Sequence, residues 1–172
     1  MASYCILGGT GFVGSRLIAH LVNRGHRITV PTRDPERARH LRVQPSVGIV
    51  RADVHAPGTL AGLLGGSDAV INLIGILNES GRDGRGFRRA HVELMQTLIA
   101  ACESAGVSRV IQISALNAGA PQASSHYLRS KGEAETLLRA TRLDWTILQP
   151  SVIYGPGDAF LNRFAGLLKL IP

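Results

Sequence analysis

Short apolar runs alternate along this chain with stretches in which apolar positions recur every three or four residues. The first pattern fits buried strands and the second fits amphipathic helices. Residues 4–7, 27–31, 47–51, 69–74, 109–114 and 145–149 read as strands, and residues 12–24, 35–41, 59–64, 87–105 and 127–140 as helices. Strands without a polar face need helical cover on both sides. An α/β fold is therefore predicted, with a mostly parallel, doubly wound sheet and right-handed crossovers around a switch point. No internal repeat or low-complexity linker interrupts the pattern. The segment NESGRDGRGFRR, residues 78–89, breaks the rhythm after the fourth strand. Topology puts it at the carboxyl edge of the sheet, as a solvated loop or a loop that meets substrate or partner.

A length of 172 residues suits one domain with a sizeable core, and a single domain over residues 1–172 is expected. The composition, 45% apolar and 18% charged, is that of a globular chain, and runs such as AVINLIGIL are too short to span a bilayer. The amino terminus enters a strand directly, without the marks of a secretory leader, so the cytoplasm is the expected compartment. Cys5 and Cys102 lack metal-ligand spacing and are expected to be buried free thiols; no metal site is predicted. The net charge of +7 raises the question of nucleic acid. The arginines are spread over every segment with no aromatic residues interleaved, which argues against it. Acidic lipid at a membrane surface, a phosphorylated cofactor or an acidic partner suits such a surface equally.

The first strand runs into GGTGFVG. Gly9, Gly11 and Gly14 fit one dinucleotide-binding spacing, and Gly8, Gly11 and Gly14 fit a related one. Both spacings describe one turn, in which glycine permits positive φ, lets backbone approach a pyrophosphate and lets helix pack on strand. The turn follows an apolar strand, opens an amphipathic helix and begins a unit that returns to a second strand, which is the context dinucleotide binding requires.

At the end of that second strand Thr32 stands where an acid would bind the adenosine ribose hydroxyls, and Arg33 follows. An acid would repel a 2′-phosphate, whereas a guanidinium pairs with it, so NADP(H) is favoured over NAD(H), with Arg37 as a second contact. Asp34 is placed to cap the helix that Pro35 starts. Asp53 in VRADV has two readings, a partner for the adenine amino group or a helix cap.

In HYLRSKGEAE, Tyr127 and Lys131 are four residues apart and share one helix face. A lysine ammonium beside a phenol lowers its pKa and can bond a ribose, so the pair suits proton exchange with a carbonyl or hydroxyl during hydride transfer.

With GGTGFVG, INLIG, ISALNA, YLRSK and LQPSVIYGPGD in this order, the chain resembles the extended or atypical branch of the short-chain dehydrogenase/reductase superfamily over essentially its whole length. More narrowly, HVELMQTLIAACESAGVSRVIQISALNA and PSVIYGPGDAFLNRF look like bacterial relatives of the nicotinamide-nucleotide-binding accessory subunit of respiratory complex I. The resemblance implies a Rossmann-type domain holding NADP(H) or NAD(H). Gly8, Thr10, Gly11, Phe12, Val13 and Gly14 would form the pyrophosphate turn. Val54 would stand beside Asp53; Leu73, Ile74 and Gly75 would line the cleft; Tyr127 and Lys131 would meet the nicotinamide ribose, with Pro150, Ser151 and Val152 beside the nicotinamide.

Two departures matter. Active members carry a Ser or Thr after the fifth strand; Ser114 stands one residue early, with Ala115 or Leu116 in its place and Ser124 or Ser125 as substitutes. Without that hydroxyl Tyr127 is the only side-chain donor to a developing oxyanion, which weakens catalysis more than binding. The chain also stops at LKLIP, where extended members continue into a substrate-binding region, and an apolar seam of Phe160, Leu161, Phe164, Leu167 and Leu168 is expected to need a partner. The favoured expectation is a cofactor-holding structural or regulatory module, attached to a membrane-peripheral respiratory assembly. The alternatives are an NADP-dependent oxidoreductase, epimerase or dehydratase acting on a small carbonyl or nucleotide sugar, with Tyr127, Lys131 and Ser114 catalytic, and an apo scaffold whose glycines serve packing only.

Overall fold

The computed structural model describes residues 1–79, 81–123, 125–156 and 158; Ser124 and the seam from Phe160 to Leu168 lie outside them. Six parallel strands form one sheet in the order β3-β2-β1-β4-β5-β6. They are β1 (Ser3–Leu7), β2 (Arg27–Thr32), β3 (Val47–Arg51), β4 (Ala69–Asn72), β5 (Arg109–Ile113) and β6 (Asp144–Leu148). The helices are α1 (Phe12–Val22), α2 (Thr59–Leu64), α3 (Arg85–Arg88), α4 (Leu94–Ala105) and α5 (His126–Arg139). The order reverses direction between β1 and β4, and at such a switch point the crossovers diverge to leave a crevice beyond the strand ends.

Strand side chains alternate between faces, and the apolar runs feed two cores. Ile6, Ile28, Val30 and Ile71 pack with Ile18 of α1 and with Ala38 and Leu41. Cys5, Leu7, Val70 and Val110 pack with α2, α4 and α5, where Leu60, Leu64, Leu94, Met95, Leu98 and Leu138 are fully or almost fully buried. Each such side chain contributes about 1.5–3 kcal/mol, so this second core carries more of the fold. Both cysteines are buried free thiols. Burial pushes each up to about 12.

Three elements differ from the sequence expectation, each for a local reason. Residues 35–41 form a 3-10 helix rather than an α-helix; Asp34 Oδ1 accepts from Glu36 N at 3.0 Å and Pro35 begins the turn. Strand β4 ends at Asn72 because Asn72 Oδ1 accepts from Ile74 N at 3.1 Å and turns the chain out of the sheet. The helix expected from residue 87 starts at Arg85, since the Glu79 carboxylate accepts from Gly84 N and Gly86 N at 2.9 and 2.8 Å and orders the glycine-rich loop. Between α3 and α4 the chain makes a π-helical turn, Arg89–Glu93. Such turns re-aim one side chain. This one buries Ala90, His91 and Val92.

Candidate functional site

The glycine turn sits at the switch point. Gly8 has φ +78°, the left-handed region that favours glycine, and a Cβ there would lie 3.1–3.2 Å from the Leu73 carbonyl carbon and Ile74 N. The turn after β1 thus touches the chain leaving β4. Gly9 instead packs on Val30 and Ile18. A Cβ on Gly14 would come within 2.6 Å of the Gly8 and Gly9 backbone, so only glycine lets α1 approach so closely. Gly11 is the α1 N-cap; no side chain caps that end and its first turn carries no acid. The first amides of α1, those of Phe12, Val13 and Gly14, are therefore left without a side-chain cap, an arrangement that suits an anion, with Thr10 half-buried beside them. The Phe12 ring lies under the Arg16 guanidinium, whose other contact is the Pro156 carbonyl.

On the β2 side, Thr32 is buried and its hydroxyl closes a local turn with the Asp34 backbone at 3.1–3.2 Å. Asp34 is turned to cap the 3-10 helix, with Arg37 4.0 Å away. Arg33 and Arg37 are exposed. Asp53 accepts from His55 N at 3.1 Å, and α2 is capped by Gly58. Asp53 therefore caps its own turn and not the helix. Val54 belongs to the core.

The β4–β6 side is built from buried polar groups. Lys131, 4% exposed, donates to the Ile113 carbonyl at 3.1 Å; the same oxygen accepts from Gln112 Nε2 at 2.8 Å, and Gln112 Oε1 accepts from Asn72 at 2.8 Å. Burial pushes the ammonium down to about 8, with the Glu135 carboxylate opposing. Tyr127 is half-buried, its ring edge-on to Phe87 and His91. The sequence expectation that Lys131 lowers its pKa is corrected here: burial raises it, because the ammonium is turned to backbone while the phenolate loses solvent. Ser114 is buried at the end of β5, and among the described residues its hydroxyl has no hydrogen-bond partner. Ala115 is also buried, whereas Leu116 is 51% exposed. Ser125 caps α5 by accepting from Leu128 N at 3.1 Å. The Pro150 carbonyl accepts from Leu116 N at 2.9 Å, extending the β5–β6 ladder; Ser151 and Val152 are exposed beyond it.

Four residues at this site escaped sequence reasoning: Asn72, Gln112, His91 and Ser130. Asn72 and Gln112 carried a usable signal, since a polar side chain inside an apolar strand is either paired or costly. His91 and Ser130 carried none, because a π turn is not legible in residue periodicity. His91 is 4% exposed, stacks on Phe87 and places Nδ1 2.8 Å from Ser130 Oγ.

The residues fit a dinucleotide. A bare helix terminus and a cradle that a Cβ would fill lie at the switch point, and the Lys131 ammonium lies at the ends of β4 and β5 beside Gly75 and Ile113, the groups a pyrophosphate and a ribose require. Together with the sheet order they define a Rossmann-type nucleotide-binding protein. Residues 8–159 match the NAD(P)H-binding family, and the chain belongs to that family.

Over 164 residues the chain is 34% identical to the mouse mitochondrial NADH dehydrogenase [ubiquinone] 1 alpha subcomplex subunit 9, covering 93% of this chain and 43% of that protein. It is 34% identical to a ceramide reductase of Caulobacter vibrioides over 168 residues, 96% of this chain and 50% of the relative. The chain thus spans half or less of these relatives' lengths. In three dimensions it resembles a putative NAD-dependent epimerase/dehydratase from Bacillus halodurans, with TM-score 0.80, 24% identity and coverage of 92% of this chain and 74% of the other. It also resembles UDP-glucuronic acid 4-epimerase from Bacillus cereus, solved with NAD, with TM-score 0.79, 21% identity and coverage of 97% and 64%. These structural likenesses establish the fold.

Proposed function

We propose that this chain is an NADP(H)-preferring, cofactor-holding module with a structural or regulatory role, in the manner of the complex I subunit it resembles. One observation carries the cofactor preference: Arg33, the residue after β2, is exposed, while the neighbouring carboxylate of Asp34 is occupied as a helix cap. A 2′-phosphate would find two guanidinium groups, Arg33 and Arg37, with the nearby Asp34 carboxylate engaged as the helix cap and 4.0 Å from Arg37. Gly8, Gly11 and Gly14 would take the pyrophosphate, and Lys131 the nicotinamide ribose. When bound, the dinucleotide supplies a hydride donor or acceptor. The protein's own groups suit holding it: the Lys131 ammonium gives one of its three donors to the Ile113 carbonyl, Tyr127 is made a weaker acid by burial, and Ala115 or Leu116 stands where the second donor hydroxyl is expected. A cofactor bound only by the folded chain stabilises it by mass action.

Relatives that belong to a respiratory enzyme suggest the partner, a membrane-peripheral assembly. Among the described residues no helix is long and apolar enough to cross a membrane. A second reading, an NADP-dependent reductase, epimerase or dehydratase, draws on Tyr127 and Lys131 lying one turn apart on α5 and on the ceramide reductase relative.

Parallel calorimetric titrations with NADPH, NADP, NADH and NAD test the proposal. Tighter binding of the phosphorylated pair is expected, and equal affinities would refute the role of Arg33. Turnover of a carbonyl substrate that Tyr127→Phe abolishes would establish the second reading in place of the first.

A further inference from the structure

The arginine- and glycine-rich stretch that breaks the sequence pattern lies against α5. Gly84, in the left-handed region at φ +80°, sits on His126, the first residue of α5, so closely that a Cβ would strike the imidazole. The Phe87 ring lies edge-on to Tyr127, with centroids 5.9 Å apart, and stacks on His91 at 6.1 Å. Farther along the helix, Arg88 pairs with Glu133 at 2.9 Å. Three contacts thus hold α3 against the part of α5 that carries Tyr127. Phe87 is buried in this arrangement, and Tyr127 is half-buried.

The winding of α3 depends on one carboxylate. α3 is the first turn of a helical run that continues through the π turn into α4, and first turns fray unless their amides are bound. Its N-cap residue, Gly84, has no side chain to bind them. Glu79 supplies the acceptors from outside: Oε1 accepts from Gly84 N at 2.9 Å, and Oε2 accepts from Gly86 N at 2.8 Å and from Phe87 N at 3.3 Å. Gly86 makes room for this, since a Cβ there would lie 2.9 Å from both Cβ and Oε2 of Glu79. The third amide in the set belongs to the residue whose ring covers Tyr127.

We propose that Glu79 is a latch on Tyr127: by keeping Gly84, Gly86 and Phe87 wound, it holds the Phe87 ring against the phenol ring, and its release uncovers Tyr127. The Arg88–Glu133 pair is a weaker fastening, because both side chains are about half exposed and solvent screens them. Glu79 instead makes charge-assisted bonds to backbone amides. The raised pKa of Tyr127, caused by burial, fits a covered phenol. The functional value of the latch rests on the proposed place of Tyr127 at the nicotinamide ribose, where covering or uncovering the ring would govern access to it. The latch itself does not depend on that role.

Amide exchange by NMR and tyrosine nitration of the full chain without cofactor test the latch. Tyr154, 72% exposed, serves as the internal standard for tetranitromethane, and Tyr127 is expected to nitrate more slowly. Glu79→Ala should speed exchange at Gly84, Gly86 and Phe87 by about tenfold, the worth of a charge-assisted hydrogen bond, and raise the ratio of Tyr127 to Tyr154 nitration severalfold. Phe87→Ala should raise that ratio while leaving exchange at Gly84 and Gly86 near wild type, because the cover is gone and the latch remains. Faster exchange in Glu79→Ala with an unchanged ratio, or no change in either, would overturn the proposal. Should Glu79→Ala fail to fold, Glu79→Gln, which keeps an acceptor without the charge, and Gly86→Ala, whose methyl would displace the carboxylate, decide by the same two readings. Calorimetric titration with NADPH keeps the two ideas separable. Absent binding alongside Glu79-dependent nitration strikes the cofactor reading alone, and binding alongside Glu79-independent nitration strikes the latch alone.

Discussion

The two halves of the crevice are made of different materials. On the β1–β3 side the polar groups are backbone amides, presented by a turn whose shape three glycines permit, and the exposed arginines that follow β2. On the β4–β6 side they are buried side chains that hold one another: Asn72 to Gln112, Gln112 and Lys131 to Ile113, His91 to Ser130. The first half is local in sequence and tolerates solvent. The second depends on contacts between residues some forty positions apart, and every member lost leaves another polar group unpaired.

The largest effect is expected where the first half has no slack. Gly14→Val forces a Cβ to within 2.6 Å of the backbone of Gly8 and Gly9. The variant should lose about 3 kcal/mol or more of stability by urea unfolding, with nucleotide binding abolished.

The second half is breakable by acid. His91 has its folded pKa depressed from 6.5 to about 3, so the unfolded chain takes up the proton first. The contribution is complete above 6.5 and is lost as pH falls from 6.5 toward 3. The slope in that window is about 1.4 kcal/mol per pH unit. Unfolding curves of wild type and His91→Gln should therefore diverge in slope below pH 6.5, and parallel slopes would show that His91 is not buried neutral.

The smallest effect sharpens the comparison most. Arg33→Ala should weaken NADPH by about tenfold or more, the worth of a charge-assisted hydrogen bond, and leave NADH within about twofold. Unfolding free energy should not move, since the side chain is exposed.

This division also explains what the sequence made legible. The six strands and their parallel arrangement followed from apolar runs that need cover on both faces, and the glycine turn from spacing in its strand-to-helix context. Asp34 was legible as a cap because capping acts over two residues. The start of α3 was not, since its cap, Glu79, lies outside the usual cap position. The pKa of Tyr127 was missed because spacing reports which residues share a face, not where an ammonium points once a carbonyl competes for it. His91 was invisible because a π turn shifts register by one residue without changing composition.

The turn that leaves β6 returns to the helix that opens the chain. Arg16 reaches the Pro156 carbonyl, Gly155 stands so near the Phe12 ring that a Cβ would be 3.4 Å from Cζ, and Asp158 fastens Gly155 N at 3.2 Å. Phe12 and Arg16 belong to the first turns of α1, so Gly155, Pro156 and Asp158 are tied to the same helix terminus that the glycine turn leaves uncapped.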